Sequence, residues 1–234
     1  MCAPPNSAQQ FLDGQILLFD KPYGWSSFDV VKTVRHLIKK KYNLKKIKVG
    51  HAGTLDPLAT GLLIICTGKF TKKIAKIQSQ AKIYSGTIRL GGTTPSYDLE
   101  TKVNSNYETS HINKELILHT AKQFVGKIDQ IPPIFSAIKQ KGERLYEKAR
   151  RGEKIVAQSR TVHISYFNII SIKNLDVDFE IKCSKGTYIR SIANDFGEKL
   201  NSGGHLVRLC RTAIGGHPLL KATKIQNFEQ LLNN

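Results

Sequence analysis

Val177, Phe179, Ile181 and Cys183 alternate with polar residues without interruption. A strict period of two fits only a strand with one face buried and one face wet. Ile83–Leu90 alternates likewise and ends at Gly91-Gly92, and Gln15–Phe19, His163–Ile172 and Leu206–Ile214 are also strand-like. Helical spacing marks other segments. Ser26 with Asp29 three residues on forms a capping-box pattern, and Phe28, Val31, Val34 and Ile38 then predict an amphipathic helix. Thr71–Gln78 reads as a short basic helix. Leu116, Ile117, Ala121 and Phe124 predict another, with Gly126 placed to stop it. Ile189, Ile192, Phe196 and Leu200 mark a helical stripe, and Ile225–Leu232 a closing helix. Strands and helices mix without a regular βαβ repeat. The fold class expected is α+β, with a mixed, largely antiparallel sheet flanked by helices.

The 234 residues suffice for a sizeable core, and a composition 40% hydrophobic and 23% charged excludes a disordered chain. The charge is the outlier: 36 Lys and Arg against 18 Asp and Glu, a formal +18, with every quarter of the chain positive. A body this basic attracts polyanions over its whole field, nucleic acid first. The alternative reading is a basic background that serves solubility. Cysteines at 2, 66, 183 and 210 have neither C-x-x-C spacing nor a histidine partner, so no metal site is expected. The polar start MCAPPNSAQQ is not a signal peptide, and Leu62–Cys66 is too short to span a membrane. A cytoplasmic protein without membrane contact is the expectation. Residues 1–13 read as a flexible leader.

Two stretches concentrate charge. Six lysines lie between Lys39 and Lys48, either a solvated helix end or a phosphate-contacting patch. Lys139–Lys154 carries seven basic residues, and the spacing of Lys141, Arg144, Lys148 and Arg151 predicts one face of a short helix, suited to a phosphate backbone. Between the two, His51–Gly61 holds one carboxylate, Asp56, on a loop constrained by Gly53, Pro57 and Gly61 that leads into an apolar strand. Asp before Pro commonly begins a turn. A catalytic carboxylate on a rigid loop is the competing reading.

The segment G-H-A-G-T-L-D-P-L-A-T-G-L-L-I-I-C-T-G resembles the signature of the TruB-type tRNA pseudouridine synthases. K-I-Y-S-G-T-I-R-L-G resembles that family's tyrosine-bearing strand. I-P-P-I-F-S-A-I-K-Q-K-G-E-R-L-Y-E-K-A-R-R-G resembles its RNA-gripping thumb, and C-S-K-G-T-Y-I-R-S-I-A-N-D-F-G-E-K-L its arginine-bearing strand and helix. All four stand in the family's order, within about residues 14–217. The resemblance implies one catalytic domain over 14–234, a thumb at about 130–154 and no C-terminal PUA domain.

The resemblance also implies a chemistry. The N1–C1′ bond of a uridine in the T loop of tRNA, at position 55, breaks, and the base rejoins through C5, with no cofactor and no metal. Asp56 matches the indispensable carboxylate, and a lone carboxylate suits this reaction better than the pair of a glycoside hydrolase. Arg190 matches the arginine that pairs with it and orients it. Tyr84 matches the tyrosine that stacks on the target base, and Tyr188 and Leu209 match positions lining the uracil pocket. His51 matches a histidine that helps extrude the nucleotide, which is unreachable inside a folded loop. Asp98 resembles an acidic position near that loop, and Lys21 matches the family's opening D-K-P. Without the resemblance, Tyr84 and Leu209 read as core residues and Arg190 as a surface arginine.

There are departures. Cys210 stands where the family often has the first of two arginines, leaving Arg211, and T-T-P-S-Y-D differs from the commoner T-D-T-x-D. The expected partner is tRNA, through its T-arm, with no obligatory protein partner and a monomeric state. Two other readings stay open: a non-catalytic RNA-binding or tRNA-folding module, and the guide-dependent relative that modifies ribosomal RNA within a larger particle.

Overall fold

The computed structural model describes residues 7–136, 138–140, 142–153 and 157–233, without the side chains of Lys139, Arg144 and Asn233. The chain divides into two compact units, residues 1–84 with 209–234, and residues 85–208.

The first unit begins with α1 (Ala8–Asp13), where Ser7 accepts from the backbone N–H of Gln10 and Phe11 is buried. These residues are therefore not the flexible leader expected over 1–13: Phe11 supplies apolar area worth burying, and Asp13 pairs with Lys69 at 2.8 Å. Residues 1–6 lie outside the described residues. Then come β1 (Ile16–Lys21), α2 (Ser27–Lys41), β2 (Val49–His51) and β3 (Thr60–Thr67). The capping box opens α2 as predicted, Ser26 and Asp29 each accepting from the other's backbone N–H. Phe28 does not join the buried stripe: it is 52% exposed, and Val30 packs with Val31, Val34 and Ile38 instead. At about 100° per residue, Phe28 lies about 120° away from Val34, outside the stripe. The run Leu62–Cys66 is continuous because β3 is covered on both faces. Leu63 and Ile65 pack with α2 residues, and Leu62, Ile64 and Cys66 with Ile77 and Ile214. The basic helix expected over 71–78 is a 3₁₀ segment, Gly68–Lys73, followed by α3 (Ile74–Gln78).

The chain leaves this unit within β4 (Lys82–Leu90). In the second unit, β5 (Gly92–Thr93) pairs with β6 (Ser105–Asn106), and α4 (Lys114–Lys122) leads to β7 (Gly126–Gln130). Gly126 does not stop α4, which already ends at Lys122; with φ of +106° it opens β7. The basic stretch also differs from expectation. β8 (Lys139–Gln140) and β9 (Glu143–Arg144) form a hairpin, and only α5 (Leu145–Arg150) is helical. Lys148 is on this helix. Arg144 is on a strand, Arg151 follows the helix, and Lys141 lies outside the described residues. The turn between Gln140 and Glu143, with Gly142 at φ +88°, interrupts the helical period. β10 (Arg160–Lys173) and β11 (Asp176–Cys183) follow, then α6 (Ile189–Lys199). The strands β4, β11, β10 and β7 lie in that order, antiparallel where β10 meets its two neighbours. Phe124, Phe167, Phe179 and Phe196 pack ring to ring in this unit's core.

The chain returns within β12 (Gly204–Ile214), then β13 (His217–Pro218) and α7 (Ile225–Asn233). In the first unit β3 lies between β1, antiparallel, and β12, parallel. Helix α7 packs on α2 and β1, with the Phe19 and Phe228 rings edge to face at 5.1 Å. The architecture is α+β with mostly antiparallel pairing, as the sequence predicts.

Candidate active site

Residues 52–59 link β2 to β3 and carry Asp56. Three side chains from other elements fix this loop. Registers across β1, β3 and β12 set Lys21 opposite Gly61, and Gly61 opposite Arg211. Gly61 has φ +99°, and a Cβ there would lie 2.4 Å from the Arg211 carbonyl oxygen. Glycine is thus demanded twice, by conformation and by space. Arg211, fully buried, donates to the carbonyl oxygens of Gly53 at 3.0 Å, Thr54 at 3.2 Å and Leu62 at 2.8 Å. Lys21, also fully buried, donates to the carbonyls of Trp25 at 2.6 Å, Pro22 at 3.0 Å and Pro57 at 3.3 Å. Ser27 closes the third side: its hydroxyl accepts from Leu55 N–H at 2.8 Å and donates to Leu55 C=O at 3.1 Å. Leu55 and Pro57, the neighbours of Asp56, are therefore both pinned.

Two buried cations in one small volume shape the local electrostatics. Burial pulls the Lys21 ammonium down to about 8; the Asp56 carboxylate opposes that shift and Arg211 adds to it. His51, at the end of β2, is held below its ordinary value mainly by burial, with a backbone hydrogen bond at Gly53 acting the other way and Arg211 adding to the depression. At neutral pH its ring is uncharged, which suits a stacking group better than a cation. Tyr84 and Leu209, each 8% exposed, lie in the same unit, on β4 and β12. The Thr60 hydroxyl donates to the Leu209 carbonyl at 3.4 Å.

The second unit holds the other candidates. Arg190, in the first turn of α6, is buried with its Nε 3.6 Å from the Asp98 carboxylate. Its terminal nitrogens donate to the carbonyls of Ser96 at 3.2 Å and Phe135 at 3.0 Å. Asp98 also accepts from Glu100 N–H at 3.0 Å, so the arginine meets an already oriented carboxylate. Tyr188 caps α6. The buried amide of Gln130 accepts from its N–H at 2.8 Å and donates to its carbonyl at 3.1 Å, and Arg160 lies over its ring at 4.5 Å. Among the described residues, no group of three or more His, Cys, Asp or Glu could hold a metal ion, and no helix is long and apolar enough to cross a membrane.

A family model described as TruB family pseudouridylate synthase (N terminal domain) matches residues 39–189, well over half of the chain. A tRNA pseudouridine synthase B from Flavobacterium johnsoniae is 57% identical over 225 residues, 96% of this chain and 98% of that one. The chain belongs to the TruB family of pseudouridylate synthases. A TruB-family relative from Phocaeicola vulgatus, also named tRNA pseudouridine synthase B, is 47% identical over 95% of each chain. Among solved structures, a chain of a Cbf5-Nop10-Gar1 complex superposes with a TM-score of 0.72 at 27% identity, over 95% of this chain and 55% of that one. A chain of an H/ACA RNP bound to a substrate RNA containing 2'-deoxyuridine gives 0.68 at 25% identity, over 94% and 53%. This chain spans about half the length of those two.

The TruB-type signature locates Asp56 in the sequence, but Ser27 and Arg211, which hold its loop, carry no such mark, and neither does Gln130, which holds the backbone of Tyr188 in the second unit. Ser27 reads only as part of a helix start and Arg211 as the remainder of an arginine pair. Each acts on backbone far away in sequence, so no local period or spacing reports it. Lys21, matched only to an opening segment, proves to be one of the three groups on the Asp56 loop.

Proposed function

We propose that this enzyme isomerises uridine to pseudouridine at position 55 in the T loop of tRNA, alone and without a cofactor. Isomerisation of uridine in tRNA follows from membership of the family and from the names of its 57% and 47% identical relatives. The position in the T loop, the role of Asp56 and the extrusion of the base belong to the proposal. The observation that carries it is the Asp56 loop itself: a carboxylate between two residues whose backbones are tied by Ser27 and Lys21, on a loop that Arg211 also holds. A reactive group held this rigidly loses little freedom on reaching the transition state.

In this reading Asp56 serves the exchange of the N1–C1′ bond for a C5–C1′ bond. N1 gains a proton and C5 loses one, so the change is an isomerisation. Tyr84 stacks on the base and Arg190 orients the Asp56 carboxylate. Tyr188 and Leu209 line the pocket, and His51 takes the stacking place of the extruded nucleotide. Asp98 acts through Arg190 and Lys21 through the loop. Affinity comes from the surface: between Asp29 and Asp98 the only acidic residue is Asp56, while lysines crowd α2 and the 3₁₀ segment after β3.

The test uses unmodified tRNA transcript tritiated at C5 of its uridines, with no metal and no other protein. The expected result is release of about one equivalent per tRNA, mapped to the T loop and abolished in Asp56→Asn. Tight binding without release from the native protein would overturn the reading in favour of an RNA-binding module.

A further inference from the structure

Tyr23 and Phe28 have no part in the chemistry described above. Both belong to the first unit and both are exposed, at 62% and 52%. Large exposed apolar side chains occur singly on most proteins. These two are the only exposed large aromatic side chains among the described residues of this unit; the others of that size, Leu220 and Leu231, are aliphatic.

Their attachment is what singles them out. Tyr23 precedes Gly24, whose N–H donates to the Pro57 carbonyl at 2.9 Å. Phe28 follows Ser27, whose hydroxyl holds both backbone groups of Leu55. The two rings therefore spring from positions one residue removed from the partners of Leu55 and Pro57, the residues on either side of Asp56. Each stands on backbone that is already fixed. Lys21 binds the carbonyls of Pro22 and Trp25, which bracket Tyr23, and the capping box with Asp29 sets the first turn of α2 under Phe28. A ring presented on rigid backbone gives up little entropy on contact. Beside it, the Lys32 ammonium stands 5.0 Å from the centroid of the Phe28 ring.

We propose that Tyr23 and Phe28 form a stacking platform for an unpaired base of the RNA substrate, a nucleotide of the same loop as the target uridine, with Lys32 meeting its phosphate. Three observations converge: aromatic rings exposed to solvent, a cation beside Phe28, and attachment next to Gly24 and Ser27, the residues bonded to Pro57 and Leu55. A loop opened for extrusion of one nucleotide leaves its neighbours partly unstacked, and single-stranded bases are bound by stacking on aromatic side chains. The platform rests on the proposed reaction for the identity of its RNA, and it adds a binding site outside the uracil pocket.

Two measurements test it. The first is steady-state tritium release from a T-arm stem-loop. Tyr23→Ala is expected to raise KM about tenfold, with kcat lowered no more than about threefold, and Phe28→Ala to act in the same direction. Tyr23→Phe and Tyr23→Trp restore the KM; Tyr23→Leu, apolar but without a π face, does not. The second places 2-aminopurine in turn at each unpaired loop position other than the target and follows its fluorescence on binding. Quenching at one position with native protein, lost in Tyr23→Ala and regained in Tyr23→Phe, is the expected result. An unchanged KM, equal rescue by Tyr23→Leu, or quenching that persists in Tyr23→Ala and Phe28→Ala would each overturn the platform. The fluorescence measurement needs no turnover. Failure of the reaction shows as native protein that binds without releasing tritium, and failure of the platform as an active enzyme indifferent to Tyr23.

Discussion

The guanidinium of Arg211 and the carbonyl oxygen of Gly53 are 158 residues apart in the chain and 3.0 Å apart in space. This bond and its companions to Thr54 and Leu62 make one buried side chain the anchor of the loop that carries Asp56. Arg211→Ala leaves three carbonyls without that donor. The expected cost is about 3 kcal/mol or more of unfolding free energy, read by urea denaturation. Arg211→Lys, with a single nitrogen, recovers only part of it. A loss below about 1 kcal/mol for Arg211→Ala would show that the loop holds itself.

Asp98 touches Arg190 and acts in the proposed reaction only through it. Asp98→Asn keeps the shape and removes the charge. Its effect should fall on kcat, by about 10- to 100-fold, with KM within about threefold, in a tritium-release assay. A change confined to KM would place Asp98 at the RNA rather than behind the arginine.

Lys21 makes a pH dependence. Its folded value, about 8, lies below the ordinary lysine value of about 10.4. Below pH 8 both states hold the proton. Between pH 8 and about 10.4 the unfolded chain binds more protons, so this group makes stability rise with pH across that window. Native protein should gain about 2–3 kcal/mol relative to Lys21→Met between pH 7 and pH 10, by chemical denaturation at each pH. Parallel curves for the two proteins would contradict the shift.

Asp195, on α6, works in the opposite sense. Burial pushes its carboxyl up to about 6, with Glu198 adding and the Asn194 amide opposing. Between pH 3.8 and 6 the folded protein holds the extra proton, so the stability this group contributes is lost as pH rises through 6. Asp195→Asn should therefore stabilise the protein at pH 7, by about 1–2 kcal/mol after solvent screening, and leave it unchanged near pH 3.5. Melting temperatures of both proteins at the two pH values decide it.

The formal charge of +18 predicts RNA binding that weakens steeply with salt. Raising salt from 50 to 200 mM should reduce the affinity for tRNA at least tenfold, with a linear dependence of log K on log salt. A flat dependence, measured by filter binding, would mean that few phosphates are touched.

Much of this was legible along the chain. The alternation at Val177–Cys183 and the capping box at Ser26 reappear in the structure because both depend on neighbours within a few residues. The helical face expected of Lys141, Arg144, Lys148 and Arg151 forms only in part, at α5: charge spacing reports which side chains could share a face, and Arg144 lies on the strand that follows Gly142 instead. Phe28 shows the limit of a spacing read pair by pair: it stands three residues before Val31, yet lies about 120° around the helix from Val34 and stays exposed.

By itself the sequence determined the fold class, the basic surface and the family, because periods, composition and a long signature are local properties of the chain. Only the tertiary structure decided what holds Asp56. The row of Lys21, Gly61 and Arg211 exists only once β1, β3 and β12 lie side by side in register. The Ser27 contact to Leu55 likewise closes over 28 residues, and in the second unit Gln130 reaches Tyr188 over 58. A buried cation or amide must find carbonyls to bond, and which carbonyls it finds is fixed by packing, not by the order of residues.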